Sequence, residues 1–171
     1  IKPINRTEKI NIKDSLNRIL SKSIKAKRTQ PAFNTSAMDG YATKKNYLKA
    51  IPKCLDIIGE TKAGDKNKFK LKKDQAVRVF TGSFLPEGCD KVILQENCEK
   101  NKNKVYVKEV NSESYIREKG EDFFQNDQCL LKSSIMDFGN IALAGAMNYK
   151  LIEVYKRPRI GIIANGNELF E

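Results

Sequence analysis

Two short blocks of this sequence combine oxygen-bearing side chains with glycines. In the first block Asp39 precedes Gly40, and in the second Thr81 precedes Gly82. Glycine lets backbone N–H groups approach an oxyanion such as phosphate, while carboxylate oxygens suit a hard cation. The sequence contains no histidine, which excludes Ser–His and Cys–His nucleophilic pairs and imidazole-bound zinc within it. The two blocks therefore indicate an oxyanion or metal site built without imidazole.

Each candidate also has a simpler interpretation. Asp39-Gly40 is a typical hairpin turn, and Thr81-Gly82 suits an ordinary strand-to-loop turn. Gly120-Glu-Asp122 is either a plain turn or a carboxylate pair for Mg²⁺, which prefers oxygen ligands. Glu168 follows the apolar run 159–164, and ligands of open α/β sheets bind in the loops after such strands. These alternatives stay open at this point.

Composition indicates a globular protein rather than a disordered or membrane-spanning one. Hydrophobic residues make up 40% and charged residues 31% of the 171, and no apolar run approaches the roughly 18 needed to cross a bilayer. The four cysteines form no C-x-x-C pair, so free thiols in a reducing cytoplasm are predicted. The net charge of +11 comes from lysines that are scattered along the chain. This distribution favours a solvated basic surface as the first interpretation, a site for an anionic small molecule as the second, and a groove for nucleic acid as the third.

The hydrophobic pattern predicts a mainly β protein with a few helices, an α+β fold. Helices are expected over 11–27, where isoleucines and leucines recur at helical spacing, and over 137–147, where Asp137 can serve as the N-cap. The strands predicted from short apolar or alternating runs are 54–58, 76–80, 91–95, 104–110, 151–155 and 159–164. The middle of the chain is thus expected to form a compact β domain.

Five blocks resemble, in order, the molybdenum insertase family, the molybdopterin molybdenumtransferases of the MoeA/gephyrin type. The match is in order and spans nearly the whole chain. The block 31–42 resembles the family's Ser-Ala-Met-Asp-Gly-Tyr-Ala segment, 78–90 its Arg-Ile-x-Thr-Gly-Ala segment, 92–96 the following strand, 116–122 its Gly-Glu-Asp stretch and 157–169 its Thr-Gly-Asp-Glu-Leu segment. One such block alone is a weak signal, whereas five in register are specific.

The resemblance implies an enzyme that inserts molybdenum from molybdate into adenylylated molybdopterin and releases AMP, with Mg²⁺ as cofactor. It further implies a homodimer and, as another partner, the molybdopterin adenylyltransferase; neither nucleic acid nor a membrane is expected as a partner. The implied architecture is an elongated, discontinuous linker domain (1–30 and 124–157), an inserted β domain (31–123) and the first strand of an α/β catalytic domain (158–171). The residues matching the active site are Asp39, Thr81, Asp122 and Glu168, with Ser36, Gly40 and Gly82 predicted to bind substrate and the metal ligands left unassigned.

The sequence departs from the family pattern near its end. Asn165 and Asn167 replace the family's Thr and Asp, which is expected to weaken cation affinity if that Asp holds metal. The family's Gly-Gly-x-Ser motif for the pterin nucleotide is not found in these 171 residues. The sequence is therefore interpreted as the N-terminal part of a longer enzyme, inactive alone. The alternative functions are a gephyrin-like scaffolding module without catalysis and, more weakly, a basic β domain that binds nucleic acid.

Overall fold

A computed structural model describes residues 4–65, 69–163 and 165. The chain is mostly β structure with one α-helix in the described part, which confirms the predicted fold class. The strands are β1 Thr7–Asn11, β2 Ile24–Lys25, β3 Thr35–Ser36, β4 Gly40–Thr43, β5 Lys53–Thr61, β6 Gln75–Val79, β7 Lys91–Leu94, β8 Cys98–Asn101, β9 Lys104–Val107, β10 Ile116–Arg117, β11 Gln128–Leu130 and β12 Leu151–Tyr155. The helix α1 is Phe138–Ala146, and short 3-10 turns occupy Ile12–Asp14, Lys45–Leu48 and Gln95–Asn97.

The chain divides by its contacts into two compact units. Unit 1 comprises Ile1–Lys27 together with Gln125–Glu171, and unit 2 comprises Arg28–Phe124. In unit 1, β1 pairs antiparallel with β12, with Thr7 opposite Tyr155, and β2 pairs antiparallel with β11. Unit 1 is therefore built from two segments that are distant in sequence.

The helix predicted over 11–27 is wrong, and its first residue, Asn11, is the last residue of β1. Asn11 does act as a cap, accepting a hydrogen bond from the Lys13 N–H, but only for a three-residue 3-10 turn. Beyond it Asn17 has a φ of 60°, and its N–H donates to the Met136 carbonyl. Serine, asparagine and β-branched isoleucine are weak helix formers, so pairing with the second segment of unit 1 replaces helical hydrogen bonds here.

The second predicted helix is confirmed. The Asp137 carboxylate accepts a hydrogen bond of 2.8 Å from the Asn140 N–H, which satisfies one of the free donors at the start of α1. Ala144 and Met147 are buried together with Leu20, Ile152 and Val154 in the core of unit 1. The predicted strand 151–155 is also confirmed as β12.

Unit 2 contains a six-stranded sheet in the order β7-β4-β6-β5-β9-β8. All neighbours are antiparallel except β5 and β6, which are parallel. The four strands predicted in this region correspond to β5, β6, β7 and β9, with ends that differ by up to three residues. Outside this sheet, β3 pairs antiparallel with β10.

Successive side chains of a strand point to opposite sides of the sheet, and in this sheet both sides are packed. One buried cluster includes Tyr41, Ala76 and Ile93, and the opposite one includes Ala42 and Val92. The strands β4, β6 and β7 are consequently mostly buried and rich in apolar residues, and a charged side chain within one of them is conspicuous.

The apolar run predicted as the strand 159–164 forms no strand within residues 159–163, while residue 164 lies outside the described part. Ile160, Ile162 and Ile163 are at least 81% exposed, and a strand without a paired neighbour is not stable. In the described residues no helix is long and apolar enough to cross a membrane. All four cysteines are free thiols.

Candidate active site

The antiparallel pairing of unit 2 brings three chain segments to one end of the sheet. β4 begins at Gly40, which lies opposite Val79 near the end of β6 and opposite Leu94 at the end of β7. The residue before β4, Asp39, therefore neighbours the loops that follow β6 and β7. Those loops begin with Phe80-Thr81 and with Gln95.

Asp39 is held against Thr81 by two hydrogen bonds to the same carboxylate oxygen. The Thr81 backbone N–H donates to Oδ1 at 2.8 Å, and the Thr81 hydroxyl donates to it at 2.9 Å. These bonds, the backbone one first, lower the pKa of Asp39 below its usual value, and the Arg78 charge adds a smaller lowering. The carboxylate is therefore ionised at neutral pH, and neither Thr81 bond uses its other oxygen, Oδ2.

Gly82 lies at the third position of the tight turn Phe80–Ser83, directly after Thr81. The Ser83 N–H donates to the Phe80 carbonyl at 2.9 Å, and Gly82 has a φ of +79°, in the left-handed region that favours glycine. The Gly82 N–H donates to the Ser36 carbonyl at 2.8 Å. A Cβ at Gly82 would meet no atom within 4 Å, so the glycine here serves the turn and leaves open space beside Thr81.

Ser36, on β3, and Gly40, at the start of β4, are both buried next to this end of the six-stranded sheet. The Ser36 hydroxyl donates to the Met38 carbonyl at 2.6 Å, which folds the chain just before Asp39. A Cβ at Gly40 would lie 2.0 Å from the Ile93 carbonyl oxygen, so close packing of β4 on β7 explains this glycine. The structure thus brings Asp39, Thr81, Ser36, Gly40 and Gly82 together, while their roles in catalysis and substrate binding stay predictions.

Asp122 has a different environment from Asp39. Its carboxylate accepts a hydrogen bond of 2.7 Å from Arg117, and its backbone N–H donates to the Gln30 carbonyl. The Glu121 carboxylate lies 3.8 Å from Nε of the same Arg117 guanidinium. Gly120, directly before Glu121, has a φ of +79°, which is typical of a turn. The two carboxylates therefore pair with an arginine, and no hydrogen bond or ion pair joins Asp122 to Asp39. Glu168 lies outside the described residues.

Arg78 and Gln95 were not among the predicted site residues, although both stand in the quoted motifs. Arg78 donates to the Gly40 carbonyl at 3.0 Å and to the Gln95 side-chain oxygen at 2.5 Å. The Gln95 backbone N–H donates to the Asp39 carbonyl at 3.2 Å. A signal was present in the sequence, since Arg78 is the one charged residue of the otherwise apolar run 76–80.

A metal ion receives few ligands from this region. Among the described residues there is no group of three or more His, Cys, Asp or Glu side chains that could hold a metal ion. Mg²⁺ in phosphate-transfer sites is commonly held by one or two carboxylates together with substrate phosphates. Asp39 Oδ2 fits such a partial set, whereas a cage made by the described side chains alone does not form.

Comparisons with known proteins agree with the fold and the motifs. Residues 1–147 match the family model described as the MoeA N-terminal region (domain I and II). The chain is 31% identical over 168 residues to a molybdopterin molybdenumtransferase from Nostoc sp., covering 95% of this chain and 38% of that protein. It is 32% identical over 172 residues to the molybdopterin molybdenumtransferase of Bacillus subtilis, covering 95% of this chain and 40% of that protein.

A solved structure with the same fold is the crystal structure of a molybdopterin biosynthesis MoeA protein from Pyrococcus horikoshii. The TM-score is 0.85 at 29% identity, and the match covers 92% of this chain and 43% of that chain. The chain therefore spans about 40% of the length of the relatives that it matches.

Proposed function

Because the chain belongs to the family of MoeA N-terminal regions, we propose that it is the N-terminal part of a molybdenum insertase acting in molybdenum cofactor biosynthesis. The whole enzyme would take molybdenum from molybdate, insert it into adenylylated molybdopterin and release AMP. The observation that carries this proposal is the Asp39–Thr81 pair, which occurs within two family motifs and is assembled by the sheet at one exposed end.

This reaction requires neutralisation of phosphate charge and positioning of the reacting groups rather than a covalent nucleophile. Hydrolysis of the anhydride that joins AMP to the pterin phosphate adds water across the P–O–P bond and places developing negative charge on phosphate oxygens, which a bound cation can neutralise. The open space beside Gly82 leaves room for a substrate phosphate next to the Asp39–Thr81 pair. The Thr81 N–H and hydroxyl, which both donate to Asp39 Oδ1, would hold the carboxylate in one rotamer and leave Oδ2 outside these two bonds.

Mg²⁺ is proposed as the cofactor, and it would neutralise phosphate charge when bound. Asp39 Oδ2 is the candidate protein ligand in the described residues, with substrate phosphates completing the set. Asp122 would contribute only if it left Arg117, and Glu168 remains a candidate on its motif alone. A cytoplasmic homodimer that receives its substrate from the molybdopterin adenylyltransferase is proposed with the same reaction.

The test is AMP release by the full-length protein, supplied with adenylylated molybdopterin, molybdate and Mg²⁺. Asp39→Ala is expected to lower the rate on the order of 100-fold, the usual effect of removing one positioned polar group. Asp56→Ala is the matched control, because Asp56 is an exposed aspartate of β5 that pairs with Lys104. Its rate should match the wild type.

Two results would count against the insertase. If folded wild type released no AMP with all components verified, the gephyrin-like scaffolding module would become the better explanation. If Asp39→Ala and Asp56→Ala released AMP equally fast, the Asp39–Thr81 pair would have no part in the reaction.

A further inference from the structure

Arg78 lies at the centre of a connected set of contacts behind the Asp39–Gly40 turn. Its guanidinium carbon is 5.2 Å from the ring centre of Tyr41 and 4.6 Å from that of Phe80. Tyr41 lies directly opposite Arg78 in the β4–β6 pairing, and Phe80 is two residues further along on the same face. Two aromatic rings therefore fix the orientation of the half-buried guanidinium.

The oriented guanidinium holds two neighbouring segments of the site at once. Nη1 donates to the Gly40 carbonyl on β4, and Nη2 donates to the Gln95 side chain after β7. Gln95 returns a hydrogen bond from its backbone N–H to the Asp39 carbonyl. The Gly40 carbonyl is thus bound by Arg78 itself, and the Asp39 carbonyl by Gln95, whose side chain accepts from Arg78.

We propose that Arg78 is a positioning residue, which holds the Asp39–Gly40 turn so that the Asp39 carboxylate stays against Thr81. This inference rests on the proposed function for its catalytic consequence, but the geometric part stands independently. Arg78 acts through Asp39, because one N–H of each terminal nitrogen binds a group that contacts the Asp39–Gly40 turn, the Gly40 carbonyl or the Gln95 side chain. Lysine keeps the charge but lacks the planar fork that spans two acceptors between aromatic rings.

The first measurement is amide hydrogen exchange in the full-length protein carrying Arg78→Lys, read at single residues by mass spectrometry. The Gln95 and Thr81 amides, which donate to Asp39, should exchange about ten-fold faster than in the wild type. Amides of β9, which lies further across the sheet, should keep their wild-type rates.

Arg18→Lys is the matched control, because Arg18 is also a partly buried arginine with two acceptors, Glu8 and the Tyr155 carbonyl, in unit 1. It should leave the Gln95 and Thr81 amides unchanged. If Arg78→Lys does not fold, Gln95→Met removes the acceptor of Nη2 while leaving the aromatic stack, and should speed exchange of the same amides.

The second measurement is steady-state AMP release by the same variants. Arg78→Lys should lower kcat about ten-fold or more with KM within about two-fold, since a misplaced group costs turnover rather than binding. Inactive wild type would refute the proposed function, while the exchange data would still test the positioning role.

Three outcomes would overturn the inference. Exchange at Gln95 and Thr81 could be unchanged in Arg78→Lys, which would show that the turn does not depend on Arg78. Exchange could rise throughout the six-stranded sheet, which would show a general structural role. KM could rise with kcat unchanged, which would show that Arg78 contacts substrate directly.

Discussion

Gly40→Ala should strongly destabilise unit 2. The new Cβ would lie 2.0 Å from the Ile93 carbonyl oxygen and 2.9 Å from its carbon, whereas ordinary contacts begin at 3.4 Å. Both atoms are backbone atoms of the neighbouring strand, so no flexible side chain can move aside. β4 and β7 would have to separate by more than about 1 Å, which exceeds what their hydrogen bonds tolerate.

The magnitude follows from two costs. Overpacking of this kind costs about 1–3 kcal/mol, and one weakened ladder hydrogen bond adds about 1 kcal/mol. We therefore expect Gly40→Ala to lower the free energy of unfolding by about 3 kcal/mol. For a unit of this size that corresponds to a fall in Tm of roughly 10–20 °C.

The assay is urea unfolding of the 171-residue chain followed by far-UV circular dichroism, with two alanine controls. Gly161→Ala meets open space at an ordinary φ and should change the free energy of unfolding by less than about 0.5 kcal/mol. Gly82→Ala also meets open space but at a φ of +79°, so it should cost about 1 kcal/mol. If Gly40→Ala cost no more than Gly82→Ala, the close approach of β4 and β7 would be refuted.

Three further predictions concern single groups. Asp137→Ala should lower the free energy of unfolding by about 1 kcal/mol in urea titrations, because the Asn140 N–H loses its cap; an unchanged value would contradict the cap. Thr81→Val should raise the pKa of Asp39 toward its usual value in carboxyl NMR titrations, whereas Thr81→Ser should not. Ionised Asp39 stabilises the folded state above its unfolded pKa, and this stabilisation is lost as the pH falls through the lowered folded pKa. Burial raises the pKa of the Cys89 thiol to about 11. Alkylation of Cys89 should therefore accelerate between pH 9 and 11, and the folded state should lose stability over the same interval. Full reactivity of this thiol at pH 8 would refute the prediction.

The local sequence pattern was sufficient to predict four of the eight strands of unit 2, and α1 in unit 1. The strands Lys53–Thr61 and Lys91–Leu94 are apolar runs bounded by turn residues, and Asp137 is a typical N-cap. The segment 11–27 was mispredicted because its backbone pairs with residues more than 100 positions away. Helical spacing of apolar residues carries no information about such distant partners.

The site was predictable in its parts but not in its geometry. Motif position indicated Asp39 and Thr81, which are far apart in sequence. Their hydrogen bonds depend on the register of β4 against β6, which pairs Gly40 with Val79. Arg78 was missed because an arginine in a strand is ordinarily a solvated side chain, and only the register shows that it faces Tyr41.

The two-segment construction of unit 1 has a consequence for synthesis on the ribosome. Thr7 on β1 pairs with Tyr155 on β12, whereas unit 2 is contained in one continuous stretch closed by the hydrogen bond from Gln30 to Phe123. At usual translation rates β1 has to wait roughly ten seconds or more for its partner strand, while all of unit 2 has already emerged. Unit 2 is thus free to fold during translation, and the nascent first segment carries an unpaired strand that is exposed to aggregation and to chaperones until β12 appears.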